Sequence, residues 1–119
     1  MDPAPSAQLQ LGVLVSGSGT NLQALLDASR SGELSASVRV VISNRPGAYA
    51  LERAAQAGVP HEVVRHQDFP NREAFEDRLL ERLRAQGVEW IALAGFMRVL
   101  GSTFLRGYPG RVLNIHPSL

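Results

Sequence analysis

Leu11-Gly12-Val13-Leu14-Val15-Ser16-Gly17-Ser18-Gly19-Thr20-Asn21-Leu22-Gln23 is the stretch that decides the fold. Its first residues are a short apolar run ending in Ser-Gly, the pattern of a buried strand that meets a turn. Thr20-Asn21-Leu22-Gln23 then fits a capping box, a hydroxyl residue followed three positions later by Gln, and predicts a helix start with Thr20 as the cap. Leu22, Leu25 and Leu26 give that helix one apolar face, and Ser31-Gly32 ends it. Glycines between a strand and a helix let backbone approach a ligand closely. The helix start offers unpaired N–H groups and a positive dipole end to an anion.

The rest of the chain repeats the alternation. Residues 38–42 read as a second strand, and Ser43-Asn44-Arg45-Pro46-Gly47 closes it. A helix over about 48–57 has Leu51, Ala54 and Ala55 inward and stops at Gly58. Residues 59–64 are a weaker strand with Pro60 near its start, which places it at an edge. Asn71 caps a helix over 72–86 whose core face is Phe75, Leu79, Leu80 and Leu83. Residues 90–94 form a fourth strand, 102–106 a short helix, and 112–115 a fifth strand that breaks at Pro117. Strands alternating with amphipathic helices give an α/β fold with a mostly parallel, Rossmann-like open sheet.

At 119 residues the chain is one domain with room for a core, and 45% apolar with 19% charged residues is the composition of a soluble globular protein. A net charge of +1 points to neither nucleic acid nor a membrane surface. All 12 basic residues are Arg, so lysine chemistry is excluded, and the absence of Cys excludes disulfides and thiolates. Residues 1–8 read as a flexible leader without the basic start and apolar run of a signal peptide, and no segment is long and apolar enough to span a membrane. The expected location is the cytoplasm.

Three stretches can carry chemistry. The Gly17-Ser18-Gly19 loop fails the dinucleotide fingerprint, because Leu22 stands where a third glycine belongs. The second strand is followed by Ser43-Asn44-Arg45 rather than by an acidic residue, which leaves only Arg45 as a reader of a 2′-phosphate. A single phosphate monoester suits the loop better. Ala94-Gly95-Phe96-Met97-Arg98-Val99-Leu100 leaves the fourth strand at the same sheet edge and could wall a pocket for a flat heterocycle. Asn114 and His116, two apart on an extended segment, point to one face and place an amide and an imidazole at a strand end. His61 and His66 read as surface residues. No metal-ligand spacing appears, and Gly17-Ser18-Gly19 is one residue short of a nucleophile elbow.

Ser16-Gly-Ser-Gly-Thr-Asn-Leu, Ala94-Gly-Phe-Met-Arg-Val-Leu and Asn114-Ile-His-Pro-Ser-Leu, in this order and at these separations, closely resemble the phosphoribosylglycinamide formyltransferase family. The match runs from about Leu11 to the last residue. The resemblance implies formyl transfer from 10-formyltetrahydrofolate to the amine of 5-phosphoribosylglycinamide in purine biosynthesis. It implies substrate-phosphate contacts at Gly19, Thr20 and Asn21. Folate contacts fall on Arg72, Met97, Arg98, Val99, Leu100 and Asn114. His116 becomes the catalytic proton carrier, with Asn114 as the donor to the oxyanion and no metal in the reaction.

The family's chains continue further, with an Asp that partners the histidine, a loop over the folate and more of the sheet. Residues 9–119 are therefore expected to be the N-terminal part of a formyltransferase fold. Alone they should not transfer formyl groups usefully, and they should self-associate through the exposed edge of the fifth strand. Two other readings compete: a non-catalytic phosphosugar-binding module left by truncation, and a nicotinamide-dependent oxidoreductase, which Leu22 and the missing acidic residue disfavour.

Overall fold

The computed structural model describes residues 8–115, so the leader and His116 lie outside the described residues apart from Gln8. The elements are β1 (Leu9–Val15), α1 (Thr20–Ser31), β2 (Ala36–Ser43), α2 (Tyr49–Gln56), β3 (His61–Val63), a 3₁₀ turn (His66–Asp68), α3 (Arg72–Ala85), β4 (Trp90–Leu93), α4 (Ser102–Gly107) and β5 (Val112–Asn114). The five strands form one sheet in the order β3-β2-β1-β4-β5, and every pairing is parallel. Parallel neighbours require crossovers that cover the sheet, and burial on both faces explains why the central strands are near-continuous apolar runs.

Side chains along β1 separate the two halves of the core. Val13 and Val15 pack with Leu22, Leu25 and Leu26 of α1 and with Ala50 and Ala54 of α2. Leu14, pointing the other way, packs with Phe75, Leu79, Leu80 and Leu83 of α3 and Phe104 of α4. On β2, Val41 joins the first group while Val40 and Ile42 join the second. Edge strand β3 is tied down by a fork in which Arg82 Nε and Nη2 donate to Glu62 Oε1 and Oε2 at 2.7 and 3.0 Å. The fork holds the Glu62 carboxyl below its ordinary range, against the opposing effect of partial burial, and raises Arg82.

The predicted elements are all present, with shifted ends. β1 begins at Leu9, and β3 is reduced to three residues beyond Pro60. Three details are corrected. Gly19, not Thr20, is the N-cap of α1, and no side chain among the described residues caps that helix. Ala55 is exposed and Leu51 half-buried, because the short α2 meets the core through Ala50 and Ala54, one turn apart. Glu76, absent from the expected core face, is buried.

Candidate functional site

Strand order reverses at β1: the chain builds outward through β2 and β3, then returns to place β4 on the other side of β1. The crevice beyond the carboxyl ends of β1 and β4 is where open α/β sheets take their ligands. Two loops leave the sheet there, residues 16–19 and residues 94–101, and a third group follows β2 and β3.

The glycine loop is held from both sides. Gly17 accepts from the Ala50 N–H at 3.1 Å, and Arg53 Nε donates to the Ser18 carbonyl at 2.8 Å. The Arg53 guanidinium also reaches Gln23 Oε1 at 3.2 Å and lies over the Tyr49 ring. Gly19 is left-handed at φ 81°, and a Cβ on it would stand 2.7 Å from the backbone of Ala50. Its glycine identity therefore serves the contact with α2. Gly17 is the open one, since a Cβ there would meet nothing within 4 Å among the described residues. The Gly19 carbonyl accepts from Gln23 N–H at 2.8 Å, so helix geometry begins at Thr20. Among the described residues, the first N–H groups of α1 have no capping side chain, and the first turn holds no acidic residue. Asn21, half-buried, donates from Nδ2 to the Ile115 carbonyl at 3.4 Å, which draws the helix start to the end of β5.

Ser16 is buried at the mouth of the crevice. Its Oγ donates to Asn44 Oδ1 at 2.5 Å and accepts from Met97 N–H at 2.8 Å. Asn44, also buried, uses its Nδ2 to meet His66 Nδ1 at 3.4 Å. With Asn44 donating, the imidazole accepts at Nδ1 and carries its proton at Nε2. His66 is thus half-buried and bonded rather than a free surface residue, and its ring edge meets Phe75. Desolvation pushes its pKa down, and the charges of Arg98, Arg45 and Arg65 push it further. These residues line a cleft of about 560 Å³ together with Pro46, Gln67 and Met97. Among the described residues neither Arg45 nor Arg98 has a carboxylate partner, whereas Arg65 stands 3.8 Å from Asp68.

The loop after β4 divides its apolar residues. Phe96 and Leu100 pack on the α3 side of the core, while Met97 and Val99 are 71% and 79% exposed. Arg72, at the first position of α3, is exposed and faces this loop through Gly101. Asn114 ends β5, paired with Leu93 of β4 and exposed. The structure therefore gathers Gly19, Thr20, Asn21 and Asn114 at one end of the sheet with Met97 to Leu100 beside them. His116 falls outside the described residues. Among those residues, no group of three or more His, Cys, Asp or Glu side chains could hold a metal ion.

Sequence reasoning missed Arg53, His66 and Glu76 as parts of this region. Glu76 alone had a readable signal, since it stands three and four residues before Leu79 and Leu80 on the apolar stripe of α3.

Comparison with known proteins places this arrangement. The sequence pattern of the formyl transferase family matches residues 9–119. The chain is 51% identical over 112 residues to the trifunctional purine biosynthetic protein adenosine-3 of Drosophila melanogaster, covering 92% of this chain and 8% of that protein. It is 44% identical over 107 residues to the phosphoribosylglycinamide formyltransferase of Escherichia coli, covering 90% of this chain and 50% of that one. Among solved structures, glycinamide ribonucleotide transformylase 1 from Symbiobacterium toebii superposes with a TM-score of 0.92 at 48% identity, over 99% of this chain and 57% of that chain. The chain thus spans about half the length of its single-function relatives.

Proposed function

The chain belongs to the formyl transferase family, and from that premise we propose that it carries the phosphate-binding and part of the catalytic site of a phosphoribosylglycinamide formyltransferase acting in the cytoplasm. The observation that carries the reading is the start of α1, which no side chain among the described residues caps and whose first turn has no acidic residue. It lies where the sheet reverses and is hydrogen-bonded through Asn21 to the end of β5. Such a helix start suits the phosphate of the ribonucleotide, with the backbone N–H groups at Gly19, Thr20 and Asn21 as donors.

In this reading Arg72 and the residues Met97, Arg98, Val99 and Leu100 bind 10-formyltetrahydrofolate, the formyl donor. The residues present fit that ligand: an exposed guanidinium suits its carboxylates, and exposed Met97 and Val99 offer apolar contact to its rings. Attack of the substrate amine on the formyl carbon generates an oxyanion. The Asn114 amide supplies a preorganised donor to it, and His116 carries the proton from the amine towards the departing folate nitrogen.

The test is formyl transfer in the full-length enzyme. Asn114→Ala should lower kcat by about 10²-fold or more, and His116→Ala should lower kcat far more than it changes KM for either substrate. Near-normal turnover in either variant would contradict the role assigned to that residue. The 119-residue chain by itself is proposed to self-associate, because among the described residues β5 pairs only with β4 and Leu113 is 39% exposed. Size-exclusion chromatography should show dimers or larger species, and a monodisperse monomer would contradict it.

A further inference from the structure

Glu76 lies 1% exposed in α3, where the other buried residues are Phe75, Leu79, Leu80 and Leu83. A carboxylate removed from water is costly unless its oxygens are bonded. Here Oε2 accepts from the Gly101 N–H at 2.6 Å and Oε1 from the Phe104 N–H at 3.0 Å. Gly101 is the N-cap of α4 and has no side chain to do this, so α3 supplies the capping carboxylate from across the interface.

The consequence reaches beyond α4. Residues 94–101 are fastened at three points: Ala94 N–H to the Leu14 carbonyl at 3.0 Å, Met97 N–H to Ser16 Oγ at 2.8 Å, and Gly101 N–H to Glu76. Only the last fastening also touches Arg72, whose Nε stands 4.0 Å from the same Oε2. Gly101 and Arg72 are in close contact as well, since a Cβ on Gly101 would lie 3.1 Å from Arg72 Nε and 3.3 Å from its Cζ. One buried carboxylate therefore sets the spacing between an exposed guanidinium and the end of an exposed loop.

We propose that Glu76 is a positioning residue for the folate site. The proposal rests on reading Arg72 and Met97 to Leu100 as that site. Without the carboxylate, the Gly101 end of the loop and the Arg72 side chain lose their common anchor, while the glycine loop on the other side of β1 keeps its own fastenings to Ala50 and Arg53. The effect should fall on one ligand and spare the other.

Two variants and two readouts test this. Glu76→Gln keeps the volume but replaces one acceptor oxygen with an amide group that cannot accept. Amide hydrogen exchange at Gly101 or Phe104 should quicken by about ten-fold, the loss of one charged hydrogen bond. By isothermal titration, the Kd for 10-formyltetrahydrofolate should rise by about ten-fold or more, and that for 5-phosphoribosylglycinamide should stay within about two-fold. Gly101→Ala leaves both acceptors in place, and its backbone at φ −97° suits alanine. The added methyl displaces Arg72, so the folate Kd should rise even if Glu76→Gln fails to fold. Unchanged folate affinity in both folded variants, or equal losses for both ligands, would overturn the proposal. Wild-type protein that binds no folate at all would overturn the functional reading on which it rests.

Discussion

The Ser16 hydroxyl donates to Asn44 and accepts from the Met97 N–H, so one small side chain joins the ends of β1 and β2 to the loop after β4. Its partners lie 28 and 81 residues away in the chain. Sequence reading could place Ser16 before a glycine turn but could not supply those partners, because nothing local encodes them. His66 shows the same limit: an isolated histidine beside an edge strand reads as surface, and only the fold brings Asn44 to its Nδ1. The structure makes a pH prediction here. Desolvation, then Arg98, Arg45 and Arg65, hold the folded pKa of His66 below the ordinary imidazole value. Its contribution to stability is therefore complete above the unfolded pKa of about 6.5 and is lost as pH falls through the folded pKa. Protonation would also put a donor at Nδ1 against the Asn44 amide. NMR titration should find His66 protonating below the ordinary imidazole value of about 6.5. Urea denaturation should show stability falling between about pH 7 and pH 5, with a shallower fall in His66→Gln. A titration at or above the ordinary value would contradict this account.

At the level of elements, hydrophobic runs and turn residues were legible almost throughout. The five strands, the Asn71 cap of α3, which accepts from Ala74 N–H at 2.8 Å, and the end of α1 at Gly32 all stand where local chemistry put them. The start of α1 was misread for a physical reason. A capping box assumes an extended cap residue, whereas here Gly19 turns left-handed and takes the first helical hydrogen bond itself. Gln23 is then free to pair with Asp27 and Arg53. Close packing of α1 on α2 depends on that glycine, since any Cβ would run into Ala50. Gly19→Ala should therefore destabilise the fold by about 2 to 4 kcal/mol, combining a positive φ with overpacking. Urea denaturation measures it, and a loss under about 0.5 kcal/mol would mean that the two helices separate easily. The α2 face was misjudged because eight residues give too few turns to fix a stripe, and Ala is equally at home inside and outside.

Across the whole molecule, parallel pairing and the reversal at β1 bring stretches from opposite ends of the chain to one crevice. The glycine loop, the loop after β4 and the end of β5 were singled out in the sequence for separate reasons, and the topology makes them neighbours. Their convergence was legible only through the alternation of strands and helices, which fixes which end of every strand faces a ligand. The most direct measurement of the central claim is isothermal titration of the protein with 5-phosphoribosylglycinamide and with its dephosphorylated riboside, alongside Asn21→Ala. Binding of the phosphorylated ligand is expected, with about ten-fold or more loss without the phosphate. Binding should be weaker in the variant, which keeps the backbone donors but loses the Asn21 side-chain tie that holds the helix start to the Ile115 carbonyl. Equal affinity for both ligands, unaltered by Asn21→Ala, would show that the phosphate does not sit at the start of α1.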